Sequence, residues 1–268
     1  MPQLPWYVYV LLAIIAVLGC WLLLPARKPQ RRERETFRRS ASATAVTGDR
    51  ARQLLPGLIH AVDFGATVDS LSTGVKRARV ASALNDWWNI GSTEQAQSTL
   101  GWLLQEGHRA VWPHVWRIAT SEPVENWTAS VYAIRQKVDR DQIQEYLNHL
   151  AETLPGLQEQ GIVQASDDLA RGIVAWDMSR AIMVARMCYD CKLITEPQAW
   201  EVIAYASAAV SHSLSSWEDV AKSTVIGRAM WTGQGAPLTE LTAISAQCRN
   251  DPASPWTTTP FKATPTEL

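Results

Sequence analysis

Nineteen consecutive residues near the start of the chain, Trp6 to Leu24 (WYVYVLLAIIAVLGCWLLL), carry no charge and are bracketed by Pro5 and Pro25. As a helix the run extends about 28 Å at ~1.5 Å per residue, close to the hydrocarbon thickness of a bilayer. A segment apolar on every side has two fates, a membrane span or a buried core helix. Trp6, Tyr7 and Tyr9 at one end and Trp21 near the other suit the two interfacial aromatic belts, which favours the span. A cleaved secretory signal wants positive charge ahead of the apolar run and small residues directly behind it. Here only the α-amino group precedes the run and Pro25-Ala26-Arg27-Lys28 follows it. Residues 1–25 are therefore expected to be a transmembrane anchor.

The charge distribution gives that anchor a direction. The formal net charge of the 268 residues is −1, yet seven basic residues (Arg27, Lys28, Arg31, Arg32, Arg34, Arg38, Arg39) and only two acids fall before Ser40. Basic residues beside a span stay on the cytoplasmic side, which puts the N-terminus outside and the body in the cytosol. The run at 27–39 also suits anionic lipid headgroups, with about 1 kcal/mol per Lys or Arg near the surface. A plain stop signal for insertion accounts for the same charges. The remainder, with 18 basic and 24 acidic side chains, has no basic stripe and is not expected to bind nucleic acid.

Residues 26–48, basic and then Ser/Ala/Thr-rich, read as a linker. From Asp49 the apolar spacing is that of helices, with no sustained strand alternation. Capping signals recur at Ser92-Thr93-Glu94-Gln95, Thr195-Glu196-Pro197-Gln198 and Ser215-Ser216-Trp217-Glu218, and Asp139–Gly161 and Asp167–Asp190 carry the same period. The expected fold class is all-α: one transmembrane helix, then a multi-helix cytosolic domain over 49–250. The Pro/Thr-rich tail at 251–268 is expected to be irregular and docked in part through Trp256. Thirteen Trp against three Phe is an unusual aromatic choice, because every buried indole N–H requires a partner.

Between Gly172 and Trp231 the sequence contains Ala175-Trp176-Asp177 with Arg180, then Tyr189, Ile194-Thr195-Glu196, Ala199-Trp200, Ser216-Trp217 and Gly227-Arg228. Upstream stand Trp87-Trp88-Asn89-Ile90, Leu103-Leu104 and Gly107-His108-Arg109; downstream stands Ser254-Pro255-Trp256. Over roughly 84–256 this pattern resembles the bacterial domain of unknown function 1266 (DUF1266) family. The chain departs from it at Cys188 and Cys191, which flank Tyr189. The resemblance implies a helical domain in a bacterium, hence an inner-membrane setting for the anchor. It brings a set of residues and no activity.

Trp217, Val220, Ala221, Thr224, Val225, Arg228 and Trp231 share one helical stripe, and Ile173, Trp176, Asp177, Arg180, Val184 and Met187 share another. Ions on apolar stripes require partners, so the two helices are expected to pack with Asp177 bonding Arg180, Arg228 or both. Two readings stand. The cluster is a structural network that fixes register, or its cationic excess is an anion site, unless Glu201, Glu218 or Asp219 supplies the missing charge. Trp176, Trp217, Tyr189 and Trp200 are the candidate supporting residues.

Other motifs carry less. Cys188-x-x-Cys191 has neither the second ligand pair of a zinc site nor the βαβ setting of a redox pair, so free thiols are expected. His60, His108, His114, His149 and His212 lack metal spacing. There is no Gly-x-Ser-x-Gly elbow and no phosphate loop; Gly233-Gln234-Gly235 reads as a helix stop. The Trp at 87, 88, 102, 112 and 116 read as core. No cofactor or metal is implied. The sequence thus favours a membrane-anchored binding or regulatory module with a protein or small-molecule partner. Its alternative is an enzyme acting on a small anion through Asp177, Arg180 and Arg228.

Overall fold

The computed structural model describes residues 36–262. The apolar run at 6–24 and most of the basic run lie outside the described residues, and no described helix is long and apolar enough to cross a membrane. Among the described residues there is no strand. The body is built from α1 (Gly48–Leu54), α2 (Leu58–Phe64), α3 (Arg77–Trp88), α4 (Thr93–Gln105), α5 (Trp112–Ser121), α6 (Trp127–Tyr132), α7 (Arg140–Glu159), α8 (Ser166–Ala170), α9 (Val174–Asp190), α10 (Glu196–Ser213), α11 (Trp217–Thr232), α12 (Ala236–Asn250) and α13 (Pro255–Thr258).

Side chains write these boundaries. The Ser92 hydroxyl accepts from Gln95 N at 3.3 Å, and Asp139 accepts from Gln142 N at 2.9 Å. Thr195 and Gln198 cap each other reciprocally at the start of α10. At α11 the cap is Ser216, and Asp219 reaches back to Ser215 N at 3.0 Å. The periodicity over Asp167–Asp190 suggests one helix, but the chain breaks it in two. Gly172 adopts a left-handed φ of +79°, and the Leu169 carbonyl is taken by the Trp112 indole N–H at 3.2 Å. The break sets α9 free to enter the core.

Helix α9 is the axis of the domain. Every residue from Ala175 to Cys188 is buried, under α2, α3, α4, α10 and α11. It carries three ions inward. Asp177 and Arg180 are treated below; Arg186 pins the irregular segment ahead of α3, donating to the carbonyls of Thr67 (2.6 Å), Leu71 (3.2 Å) and Ser72 (3.2 Å). Packing begins at Phe37, which is buried, ahead of the point where the helical period starts. Val46 N and Val68 N bond Asp69 O and Arg38 O, and this holds the leading segment to the body. At the far end Trp256 docks, as expected of the tail. Its ring stacks on Trp217 with centroids 5.1 Å apart, and its N–H donates to Leu55 O at 2.9 Å. Phe261 packs edge-on against the same Trp217 ring.

Candidate functional site

The Asp177 side chain is fully buried, so its charge survives only if neighbours replace its water. They do so completely. Oδ1 accepts from His108 N at 3.1 Å and from Arg180 Nη2 at 2.6 Å; Oδ2 accepts from Arg109 N at 2.9 Å and from Arg109 Nη1 at 3.2 Å. Two donors on each oxygen use all four lone-pair positions of a carboxylate. The two backbone donors converge because Gly107 turns the chain with φ +59°, and a Cβ on Gly107 would overlap the Asp177 carboxylate. Arg109 also donates to Leu103 O and Leu104 O, both at 2.6 Å, which ties the end of α4 to the same carboxylate.

His108 is held as firmly. Its Nδ1 accepts from Trp176 Nε1 at 3.1 Å and from Arg180 Nη2 at 2.8 Å. A nitrogen that receives two N–H donors carries no proton, so the proton of this neutral imidazole sits on Nε2. The 3.9 Å approach of Nδ1 to Asp177 Oδ1 is therefore not an ion pair. Burial, helped by the Arg180 charge, pushes the His108 pKa down to about 4. Aromatic rings surround it: Trp102 edge-on at 5.2 Å, Tyr146 edge-on at 6.0 Å, Trp176 at 6.5 Å and Trp231 at 5.9 Å. Burial likewise raises the Tyr146 hydroxyl to about 12.

Arg228 departs from the expected pairing. It does not bond Asp177; Arg109, reaching across from the end of α4, takes that place. The Arg228 guanidinium lies 5.1 Å from the Trp231 ring centroid and 6.0 Å from that of Trp176, a cation–π setting. Among the described residues no carboxylate forms an ion pair with it, and its buried Nε has no hydrogen-bond partner. Burial lowers its pKa, with Asp63 opposing; burial raises that of Asp63, with Arg228 opposing. Of the acids expected to neutralise it, Glu201 is exposed on α10 and forms no ion pair among the described residues, and the other two serve elsewhere. Asp219 pairs with Arg171 at 3.1 Å and Glu218 with Arg249, within a network that also joins Asp168 to Lys222 at 3.0 Å.

Arg180 and Trp176 join the cluster as expected: the Arg180 guanidinium sits 4.1 Å from the Trp176 centroid and 5.5 Å from that of Trp88. The other supporting residues lie elsewhere. Trp217 belongs to the docked tail and donates to Thr259 O at 2.8 Å. Trp200 sits under Arg50 at 4.8 Å and bonds Glu196. Tyr189 is half-buried at the far end of α9, three turns beyond Asp177. Sequence reasoning does not assign the cluster His60, Tyr146 or Trp231, and it misses the part of Gly107-His108-Arg109. Their one signal is the Gly-His-Arg triplet directly after a capped helix. Cys188 and Cys191 are buried free thiols, and burial drives Cys188 up to about 12.

The protonation state of His108 has a consequence for pH. A base whose folded pKa lies below its unfolded value of 6.5 stabilises the fold fully above pH 6.5 and loses that contribution as pH falls toward its folded pKa. Between pH 7 and 5, His108 should remove about 2 kcal/mol of stability, and His60, lowered to about 3 by burial, acts in the same sense. Chemical denaturation at several pH values measures this. A flat profile over that range, or an unaltered slope in a His108→Asn variant, would overturn the assignment.

These features define a class: a domain, all-helical over the described residues, whose central helix carries a saturated carboxylate clamp beside an arginine that has no ion pair among those residues. The family model described as "Protein of unknown function (DUF1266)" matches residues 83–261, and the chain belongs to that family. His60 and Asp63 lie ahead of the matched region. No curated protein and no solved structure matches the chain.

Proposed function

We propose that the chain is a membrane-anchored binding module, with its N-terminus outside and its helical domain held at the cytoplasmic face of a bacterial inner membrane. The uncharged run at Trp6–Leu24, followed by the basic cluster, supports the anchor and its direction. The observation that carries binding over catalysis is the saturation of Asp177. A general acid or base needs a lone pair or a proton within reach of a substrate. Both Asp177 oxygens are engaged by protein N–H groups, and His108 is locked with its lone pair turned inward. What the cluster offers outward is charge and N–H donors, which bind.

Two measurements test this reading. A reporter fused after Leu268 should give a cytoplasmic signal in the membrane fraction; a periplasmic signal or a shortened mature N-terminus would overturn the placement. Incubated with a small-molecule extract, the purified full chain should retain a compound chemically unchanged. A new product formed in step with loss of a substrate would replace the module by an enzyme.

A further inference from the structure

The outward side of the cluster has a definite chemical character. With Nδ1 fixed as an acceptor, His108 presents Nε2–H, and its side chain remains 11% exposed. Trp231 neighbours both this ring and Arg228, 5.9 Å from the first by centroids and with its centroid 5.1 Å from the guanidinium carbon of the second. Trp102 flanks His108 on another side. Trp102 and Trp231 are 37% and 39% exposed, unusual for large indoles beside a core. Their N–H groups, the His108 Nε2–H and the Arg228 guanidinium are all donors. The Asp177 carboxylate is fully engaged below, and Asp63, whose charge reaches Arg228, forms no ion pair with it.

The charges point the same way. Arg109 and Arg180 together exceed Asp177 by one, and Arg228, whose charge is opposed by Asp63 without an ion pair among the described residues, leaves that excess standing. His60, on α2, packs its ring 5.5 Å from Trp176 and leaves a buried Nε2 without a partner. Orphaned groups of this kind are costly unless something pairs with them.

We propose that the rim formed by His108 Nε2–H, Arg228, Trp102 and Trp231 binds a small organic oxyanion, a carboxylate or phosphate ester carrying a flat ring. The oxyanion lies against the Arg228 guanidinium, whose paired N–H edges match two oxygens of one acid group. The flat body stacks on Trp231. This rests on the binding-module reading and gives it a ligand class.

Phenyl phosphate, benzoate and inorganic phosphate are the probes, tested by equilibrium dialysis on the full chain in zwitterionic nanodiscs, with indole N–H shifts read by NMR. Phenyl phosphate or benzoate should bind saturably and shift the Trp231 and Trp102 signals. Arg228→Leu and Arg228→Gln should each weaken binding by roughly tenfold or more, with little change in Tm, because Arg228 has no hydrogen-bonded acceptor among the described residues and Asp63 can take up a proton when its charge is gone. Trp231→Ala should weaken the aromatic probes and leave inorganic phosphate unaffected. Competition by anionic vesicles would assign the oxyanion to a lipid headgroup, and its absence to a free metabolite; both outcomes keep the site. No saturable binding by any probe, or binding undiminished in both Arg228 variants, overturns the proposal. A compound retained unaltered by Arg228→Leu would sink the site but leave the module; conversion of the compound would sink the module.

Discussion

Replacing Asp177 by alanine is expected to destabilise the domain by about 3–5 kcal/mol, the range found when one partner of a buried ion pair is removed. The loss is large because four N–H groups lose their acceptor together. Arg180, 6% exposed, keeps its charge in the core with only the Trp176 carbonyl and His108 Nδ1 as partners. At this domain size the Tm should fall by about 10 °C. The double change Asp177→Leu with Arg180→Leu should recover only part, since the backbone N–H groups of His108 and Arg109 remain unpaired. A Tm within about a degree of the parent for Asp177→Ala would mean that the clamp does not hold the fold.

The second large effect is expected at Gly227. A Cβ there would overlap Cβ and Cγ of Trp176, atoms too close to the α9 backbone to swing aside. Alanine would gain about 1 kcal/mol of helix propensity over glycine, against an overpacking penalty of about 3 kcal/mol. A net loss of about 2 kcal/mol should appear in denaturant unfolding, together with altered NMR signals from His108, which Trp176 helps to hold. Gly101 is the control. It lies within α4 with no neighbouring atom within 4 Å of where a Cβ would stand, so Gly101→Ala should stabilise by up to about 1 kcal/mol. Equal responses at the two glycines would rule out close helix approach as the cause.

The helical class and several boundaries are legible in the sequence because capping is local: Ser92, Asp139 and Thr195 act within three residues of the amides they accept from. The break at Gly172 is not, because its cause is the indole of Trp112, 57 positions from the carbonyl it takes. The pair Asp177–Arg180 is legible for the same reason as the caps, one helical turn of separation. Arg109 reaches Asp177 across 68 positions. Periodicity places Arg228 on the stripe that meets α9, but period alone does not tell the centre of a stripe from its edge. Helix α11 buries Val220 to Gly227 and leaves Arg228 at the margin.

The clasp between Trp256 and Leu55 spans 201 positions. Such a contact closes a very long loop, and its chain entropy must be lost before the contact returns any stabilisation. During synthesis, α9 and the helices that precede it can collapse as soon as they leave the ribosome. The contact at the end of α1 cannot form until Trp256 has emerged. Completion of this domain therefore waits for Trp256, and a chain that stalls shortly before it would display an almost finished core with an open seam.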